Sequence, residues 1–308
     1  MKTKIWGCIL GAVMFASALQ SCQTQVEIPD GAVYPILFGS TETRAVADLD
    51  DLKTNGFKVY AYFQGNVGGS ASFAKDVTYN HEQNVWGYED LEYWIPNTNY
   101  WFKAVYPGNA AVVDNNNNNN DQTLTIADYD IQSQTDVMVA TATASVAENA
   151  TAPTSGSVVN LTFEHLLANV VIKALSEINT PISVERIELR DISVGADYNG
   201  RSWNSSTPKG TYGINSNMQL TKATSDTDFK DITNGGLLVI PEQINGTQKL
   251  YVKTSFKEYE IAFPTIYSWN SGQRYTYTLV IKQENIEFNE PKVEIWDEEN
   301  ATGSVVIK

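Results

Sequence analysis

The stretch Leu19-Gln20-Ser21-Cys22 carries the most specific chemistry in this 308-residue chain. A cysteine with a small residue directly before it, and Leu three before it, has the spacing read by the bacterial lipoprotein signal peptidase. That enzyme needs a thiol at the first mature position, because a diacylglycerol is attached there before cleavage. Lys2 and Lys4 give a positive start, and Ile5 to Leu19 is uncharged and mostly apolar. This is the layout of a secretory signal and is too short for a spanning helix. Residues 1–21 are therefore expected to be a lipoprotein signal peptide, with Cys22 lipidated and the mature chain hanging from a membrane by acyl chains. Each buried acyl methylene contributes roughly 0.8 kcal/mol, so several chains together hold firmly. The alternative is an ordinary secretory signal cut near Ala18, with Cys22 incidental.

Other reactive groups are sparse. A Ser-His-Asp arrangement needs a histidine beside a nucleophile and an acid to orient it. His165, within the apolar segment Leu161 to Leu167, reads as a structural histidine, and His81 as part of a polar turn. No cysteine or histidine set has zinc spacing. Gly65 to Gly69 lacks the spacing of a phosphate loop. Asp48, Asp50 and Asp51 lie close together without EF-hand spacing and read as a solvated acidic loop. No catalytic residue, metal site or cofactor is expected, and the chain is read as a non-enzyme. The formal net charge of −15 argues against nucleic acid and against electrostatic binding to anionic headgroups.

The elements that must position any site are strands. Phe57 to Phe63, Tyr100 to Val105, Asp136 to Thr141, Val158 to Phe163 and Asn169 to Ala174 show alternation or β-branched and aromatic enrichment. Arg186 to Asp191, Gly236 to Ile240, Lys249 to Phe256 and Arg274 to Lys282 continue the pattern. Many short strands separated by turn residues predict an all-β chain of one or two sandwiches. The six-Asn run between Asp114 and Asp121, and the Ala/Thr/Ser-rich Ala142 to Ser157, are expected to be loops. A domain junction is expected between about 150 and 175.

In order along the chain come Ile36-Leu37-Phe38, Thr43-Arg44-Ala45, Trp86, Tyr93-Trp94-Ile95-Pro96 and Tyr100-Trp101-Phe102-Lys103-Ala104-Val105-Tyr106-Pro107. Gln134 to Ala140 and Leu161-Thr162-Phe163-Glu164-His165 follow. Then come Gly200, Trp203, Leu238-Val239-Ile240-Pro241, Trp269, Gly272 to Tyr277 and Val293-Glu294-Ile295-Trp296. In order and spacing these pieces resemble the fimbrillin family of Bacteroidales-type bacteria, subunits of protease-assembled pili. The resemblance implies two tandem transthyretin-like β-sandwich domains after the signal peptide. Its boundaries here are 22–44 for a propeptide with a removable strand, 45–165 for the N-terminal sandwich and 166–308 for the C-terminal sandwich with a candidate donor strand. It also implies cutting by an arginine-specific protease and donor-strand exchange with other pilus subunits, self or related. Adhesion to host or bacterial surface ligands follows from the same resemblance.

On these residues, the removable strand is Val33 to Phe38, whose Val33, Ile36, Leu37 and Phe38 are able to enter a core. Pro35 lacks a donor and suits an edge. Arg44, the only arginine before Arg186, makes Arg44-Ala45 the candidate cut, with an ordinary loop cation as the alternative. Candidate donor residues are Val293, Ile295 and Trp296 and, after a Gly303 hinge, Val305, Val306 and Ile307. Alternatively, both segments complete their own sandwich. The competing functional class is a non-polymerising surface glycan-binding lipoprotein. It requires Trp86, Trp94, Trp101, Trp203 and Trp269 to form exposed stacking platforms, whereas the pilus reading requires most of them buried.

Overall fold

The computed structural model describes residues 34–40, 49–63, 71–110, 112–117, 121–204, 208–225, 227–265 and 267–296. Cys22, Val33, Arg44, Ala45, Val305, Val306 and Ile307 lie outside these residues. Nearly every described element is a strand. Alternation explains most of them, since successive side chains point to opposite faces and one face is apolar.

The N-terminal half contains β1 (Leu37–Ser40), a short helix α1 (Leu49–Asn55), β2 (Phe57–Phe63), β3 (Phe73–Asn80), β4 (Val85–Gly87) and β5 (Thr98–Tyr106). It continues with β6 (Val112–Asn117), β7 (Asp121–Asp130), β8 (Met138–Val146), β9 (Val158–Leu161) and β10 (Glu164–His165). Six of these strands form one sheet in the order β10-β8-β5-β2-β3-β4, while β1 and β9 pair in parallel apart from it. Phe57, Val59 and Ala61 of β2 and Tyr100, Phe102 and Ala104 of β5 point into one buried cluster, which Ile36, Phe38, Trp94, Val159 and Leu161 cover from the other side. Gly56 ends α1 with φ +68°, where a Cβ would stand 2.5 Å from the Val77 carbonyl oxygen, so the turn into β2 requires glycine.

The C-terminal half contains β11 (Ala168–Ser176), β12 (Ile182–Ser193), β13 (Gly195–Tyr198), β14 (Lys209–Leu220), β15 (Lys230–Asp231), β16 (Leu237–Val239) and β17 (Glu242–Gln243). After them come β18 (Lys249–Thr254), β19 (Glu258–Ala262), β20 (Ser268–Trp269), β21 (Gln273–Ile281), β22 (Ile286–Phe288) and β23 (Lys292–Ile295). One sheet runs β15-β11-β21-β22, with β16 beside β11 and β23 beside β21; the other runs β14-β12-β18-β19. Val170, Ile172, Tyr275, Tyr277 and Leu279 of the first sheet share a core with Ile187, Leu189, Leu250 and Val252 of the second. The near-continuous burial of β11, with Val170, Val171 and Ile172 at its centre, fits its place as an interior strand parallel to β21.

A third cluster joins the halves. It includes Val105, Ile131 and Val137 from the first and Leu167, Trp203 and Ile240 from the second. Here β7 pairs with β13 across the halves. Gln134 donates from Nε2 to the Leu238 carbonyl at 3.0 Å and accepts the Leu238 N–H at 2.9 Å.

Two loop expectations are corrected. Asn115–Asn117 belong to β6, paired with Thr123, Gln122 and Asp121 of β7. Backbone pairing does not need apolar side chains, and Leu124 and Ile126 of β7 supply the buried residues. Ala142 to Val146 belong to β8, where Ala142 and Ala144 lie opposite Phe102 and Tyr100. Small residues there leave room for large rings, so low complexity marks packing rather than a loop. All nine segments expected to be strands contain strands.

Candidate strand-exchange site

β1 is bound to the rest of the molecule at three places. Its side of the N-terminal core receives Ile36, fully buried, and Phe38, 5% exposed. The Phe38 ring lies 5.4 Å from that of Tyr88 and 5.7 Å, edge-on, from that of Phe102. Burying two such side chains stabilises by about 1.5–3 kcal/mol each. The second hold is backbone: Leu37 to Ser40 pair in parallel with Val158 to Leu161, and the Leu37 N–H donates to the Ser157 carbonyl at 3.1 Å. The third hold is the loop 88–97. There the Ile36 N–H donates to the Glu92 carbonyl at 2.8 Å and the Trp94 N–H donates to the Tyr34 carbonyl at 3.1 Å. Pro35 forms a bridge with Tyr93, consistent with its lack of a donor.

Leu37 departs from expectation. It is half-buried and on the opposite face from Ile36 and Phe38, because residues one apart in a strand cannot share a face. The core-facing residues are i and i+2.

Tyr88, which the sequence did not single out, holds the segment before β1 in place. Its hydroxyl donates to the Ile36 carbonyl at 2.6 Å and accepts the Glu92 N–H at 3.2 Å, so one side chain ties strand to loop. Burial pushes its pKa up to about 12, which keeps the hydroxyl protonated across the neutral range. Trp94 closes the pocket beside it, 1% exposed, edge-on to Tyr100 at 4.8 Å, with Nε1 donating to the Ser157 carbonyl at 3.4 Å. No short motif signals Tyr88, since its partner is 52 residues away in sequence.

At the other end of the described chain, β23 pairs antiparallel with β21, from Gln273↔Ile295 to Thr276↔Lys292. Val293 and Ile295 remain 38% and 42% exposed. Trp296 is buried, and its ring stacks on His165 at 3.9 Å and 15°. The Trp296 N–H donates to the Gly272 carbonyl at 3.0 Å. His165 contacts the Asp136 carboxylate at 2.5 Å through Nδ1. This histidine is thus structural, joining the N-terminal sheet to the end of β23, while His81 is exposed in the β3–β4 turn. The structure does not bring β1 and β23 together. They lie on separate cores.

Trp86, Trp94, Trp203 and Trp269 are buried and Trp101 is half-buried, so the tryptophans build core rather than a flat exposed platform. Asp50 and Asp51 fall in the helix α1 and not in the expected loop, and Asp48 lies outside the described residues. Among the described residues no group of three His, Cys, Asp or Glu side chains is placed to hold a metal ion. No described helix is long and apolar enough to cross a membrane.

The family model for fimbrillin-like proteins matches residues 43–296. No curated protein matches the chain. Among solved structures, a fimbrial protein from Bacteroides vulgatus superposes with a TM-score of 0.57 at 17% identity, over 85% of this chain and 99% of that one. Candidate cell adhesion proteins from Bacteroides ovatus and Bacteroides uniformis give TM-scores of 0.55 and 0.52, both at 14% identity. They cover 86% and 85% of this chain and 98% of each of theirs. At such identities the likeness speaks for the fold, and the family model carries the assignment. With an all-β sandwich architecture, the chain belongs to the fimbrillin-like family, non-enzymatic structural proteins of fimbriae at the outer-membrane surface.

Proposed function

We propose that this chain is a pilus subunit assembled by donor-strand exchange, with β1 as the strand that is exchanged. It comprises two tandem transthyretin-like sandwiches dividing near residue 165, delivered to the outer membrane by lipid on Cys22. Cleavage between Arg44 and Ala45 releases residues 22–44. The observation that carries this reading is the burial in the N-terminal core of Ile36, directly before β1, and Phe38, within it, in a segment whose strand pairs with β9. Taking β1 away exposes two adjacent apolar pockets and the unpaired edge of β9. An incoming strand satisfies both, with alternate side chains in the pockets. Val305 and Ile307, two apart in the apolar segment Ser304 to Lys308 of a neighbouring subunit, have the spacing of Ile36 and Phe38. The cut four residues after Ser40 places the protease site outside the paired strand.

The test is Arg44→Ala in the native host. The expected result is a precursor that reaches the surface, keeps residues 22–44 and gives no polymer ladder on a gel. Normal ladders from this variant would rule out Arg44 as the obligatory cut. Ladders lost on deletion of residues 304–308 alone would separately identify the donor segment.

A further inference from the structure

The loop 88–97 has anchors that do not depend on the segment it clasps. Lys75 of β3 donates from its ammonium to the Asp90 carbonyl at 2.7 Å and pairs with the Glu92 carboxylate at 3.0 Å. The same ammonium lies 5.8 Å from the Tyr88 ring centroid. The Lys75 side chain is only 15% exposed, which strengthens these charge-assisted contacts. Further along the loop, the Ile95 N–H donates to the Tyr100 hydroxyl at 2.8 Å and the Asn97 N–H to the Ala147 carbonyl at 3.3 Å. Trp94 adds its Nε1 bond to the Ser157 carbonyl. None of these partners belongs to residues 22–44. Removing that segment takes away β1 and leaves the loop tied down.

The backbone groups of 34–37 turn alternately to the two sides of the slot they occupy. The Tyr34 carbonyl, the Ile36 N–H and the Ile36 carbonyl meet the loop through the Trp94 N–H, the Glu92 carbonyl and the Tyr88 hydroxyl. The Leu37 N–H meets the Ser157 carbonyl on the β9 side. Pro35 between them is buried opposite Tyr93 and has no N–H to give, so the slot needs none at that place. An occupant must therefore supply an N–H at the places of Ile36 and Leu37, and apolar side chains at those of Ile36 and Phe38.

We propose that the loop 88–97, positioned by Lys75, sets the register of the incoming strand, and that this strand is Gly303 to Ile307 of a second copy with Val305 in the place of Ile36. The inference rests on the pilus reading and deepens it. The segment runs as β1 does, parallel to β9. Val305 donates its N–H to the Glu92 carbonyl and accepts from the Tyr88 hydroxyl, Val306 donates to the Ser157 carbonyl, and Ile307 fills the pocket of Phe38. Ser304 falls on the place of Pro35. A slip of one residue puts either Ser304 in the Ile36 pocket or Lys308 in the Phe38 pocket, so this register alone fills both with apolar side chains.

The experiment is a proline scan of the donor segment in the full chain, read as polymer ladders from cells. Ser304→Pro is expected to assemble like the unsubstituted chain. Val305→Pro and Val306→Pro are each expected to lower polymer yield at least about tenfold, because each removes an N–H that the slot must receive. In the uncleaved precursor, Lys75→Met is expected to quicken amide exchange at Ile36 several-fold while β5 and β8 keep their protection, and Lys75→Arg to restore it. Normal ladders from Val305→Pro or Val306→Pro, or lost ladders from Ser304→Pro, would overturn the register. Unchanged exchange at Ile36 in Lys75→Met, or equal loosening of β5 and β8, would overturn the role of Lys75. In each case strand exchange stands if polymer subunits still begin at Ala45. If the unsubstituted chain forms no ladder, or its polymer subunits begin at Cys22, the pilus reading falls too.

Discussion

Glu188 shows how a single residue ties the C-terminal sandwich to pH. It is 9% exposed on β12, with Arg186 and Arg190 both bonded to its carboxylate. Burial pushes its pKa up, but the hydrogen bonds from Arg186 and Arg190 outweigh that and hold the carboxyl below its ordinary range. A depressed folded pKa contributes stability that is complete above the unfolded value, about 4.3, and is lost as pH falls through the folded value. Thermal unfolding followed from pH 7 to pH 2 should therefore show a loss beginning near pH 4, and Glu188→Gln should flatten that limb. At pH 7 the same substitution should destabilise by about 1–3 kcal/mol, since it strips a charge from two guanidinium partners. An unaltered acid limb in the variant would assign it to other carboxylates. Tyr88 acts on the same scale at the N-terminal core. Tyr88→Phe removes the bond to Ile36 and should cost about 1 kcal/mol. Amide exchange at Leu37 should quicken several-fold with the global unfolding temperature nearly unchanged.

The elements differ in how firmly they are held. The segment 36–40 inserts two core side chains, Ile36 and Phe38, so Phe38→Ala should cost about 3–4 kcal/mol in the precursor by opening a cavity among Tyr88, Phe102 and Val159. After cleavage at Arg44 that variant and the unsubstituted chain should have equal stability, because the residue has gone; a persistent difference would mean that β1 stays in place. β23 is held otherwise. Its Val293 and Ile295 are largely exposed, and its anchorage is four ladder positions plus Trp296 on His165. Trp296→Ala should therefore raise amide exchange across residues 292–295 toward that of exposed chain, while the β11–β21 ladder keeps its protection. Uniform loosening of both would show β23 to be integral to the sandwich. The strands visible in the sequence were those with one apolar face or two. β14 was passed over although Tyr212, Ile214, Met218 and Leu220 alternate with polar residues, because Gly210, Gly213, Asn215 and Asn217 between them are turn-forming types. Its Gly213 lies opposite Glu188, where a Cβ would come within 2.8 Å of the Ile187 carbonyl oxygen, so a residue that usually argues against a strand is required there. β6 was hidden because its asparagines read as a loop, although its backbone pairs with β7.

At the scale of the whole molecule, the all-β class and the family were legible, because each depends on local pattern or on order along the chain. The junction was not legible. It is built by β7 reaching β13, by Gln134 reaching Leu238, and by His165 between Asp136 and Trp296, all partners distant in sequence and individually ordinary in type. The Tyr88 clasp depends likewise on a partner distant in sequence that the fold brings beside it. Ile36 and Phe38 belong to the N-terminal core alone, so on the strand-exchange reading their removal touches neither the C-terminal core nor the junction cluster. That separation is what strand exchange requires, since the acceptor must survive between losing one strand and gaining another. The central claim is tested most directly by N-terminal sequencing and intact mass of the subunit taken from surface polymer. A chain beginning at Ala45, with residues 22–44 absent from the polymer, is the predicted result. A lipidated chain beginning at Cys22 within the polymer would contradict it, because Ile36 and Phe38 would still fill the pockets that the incoming strand must occupy.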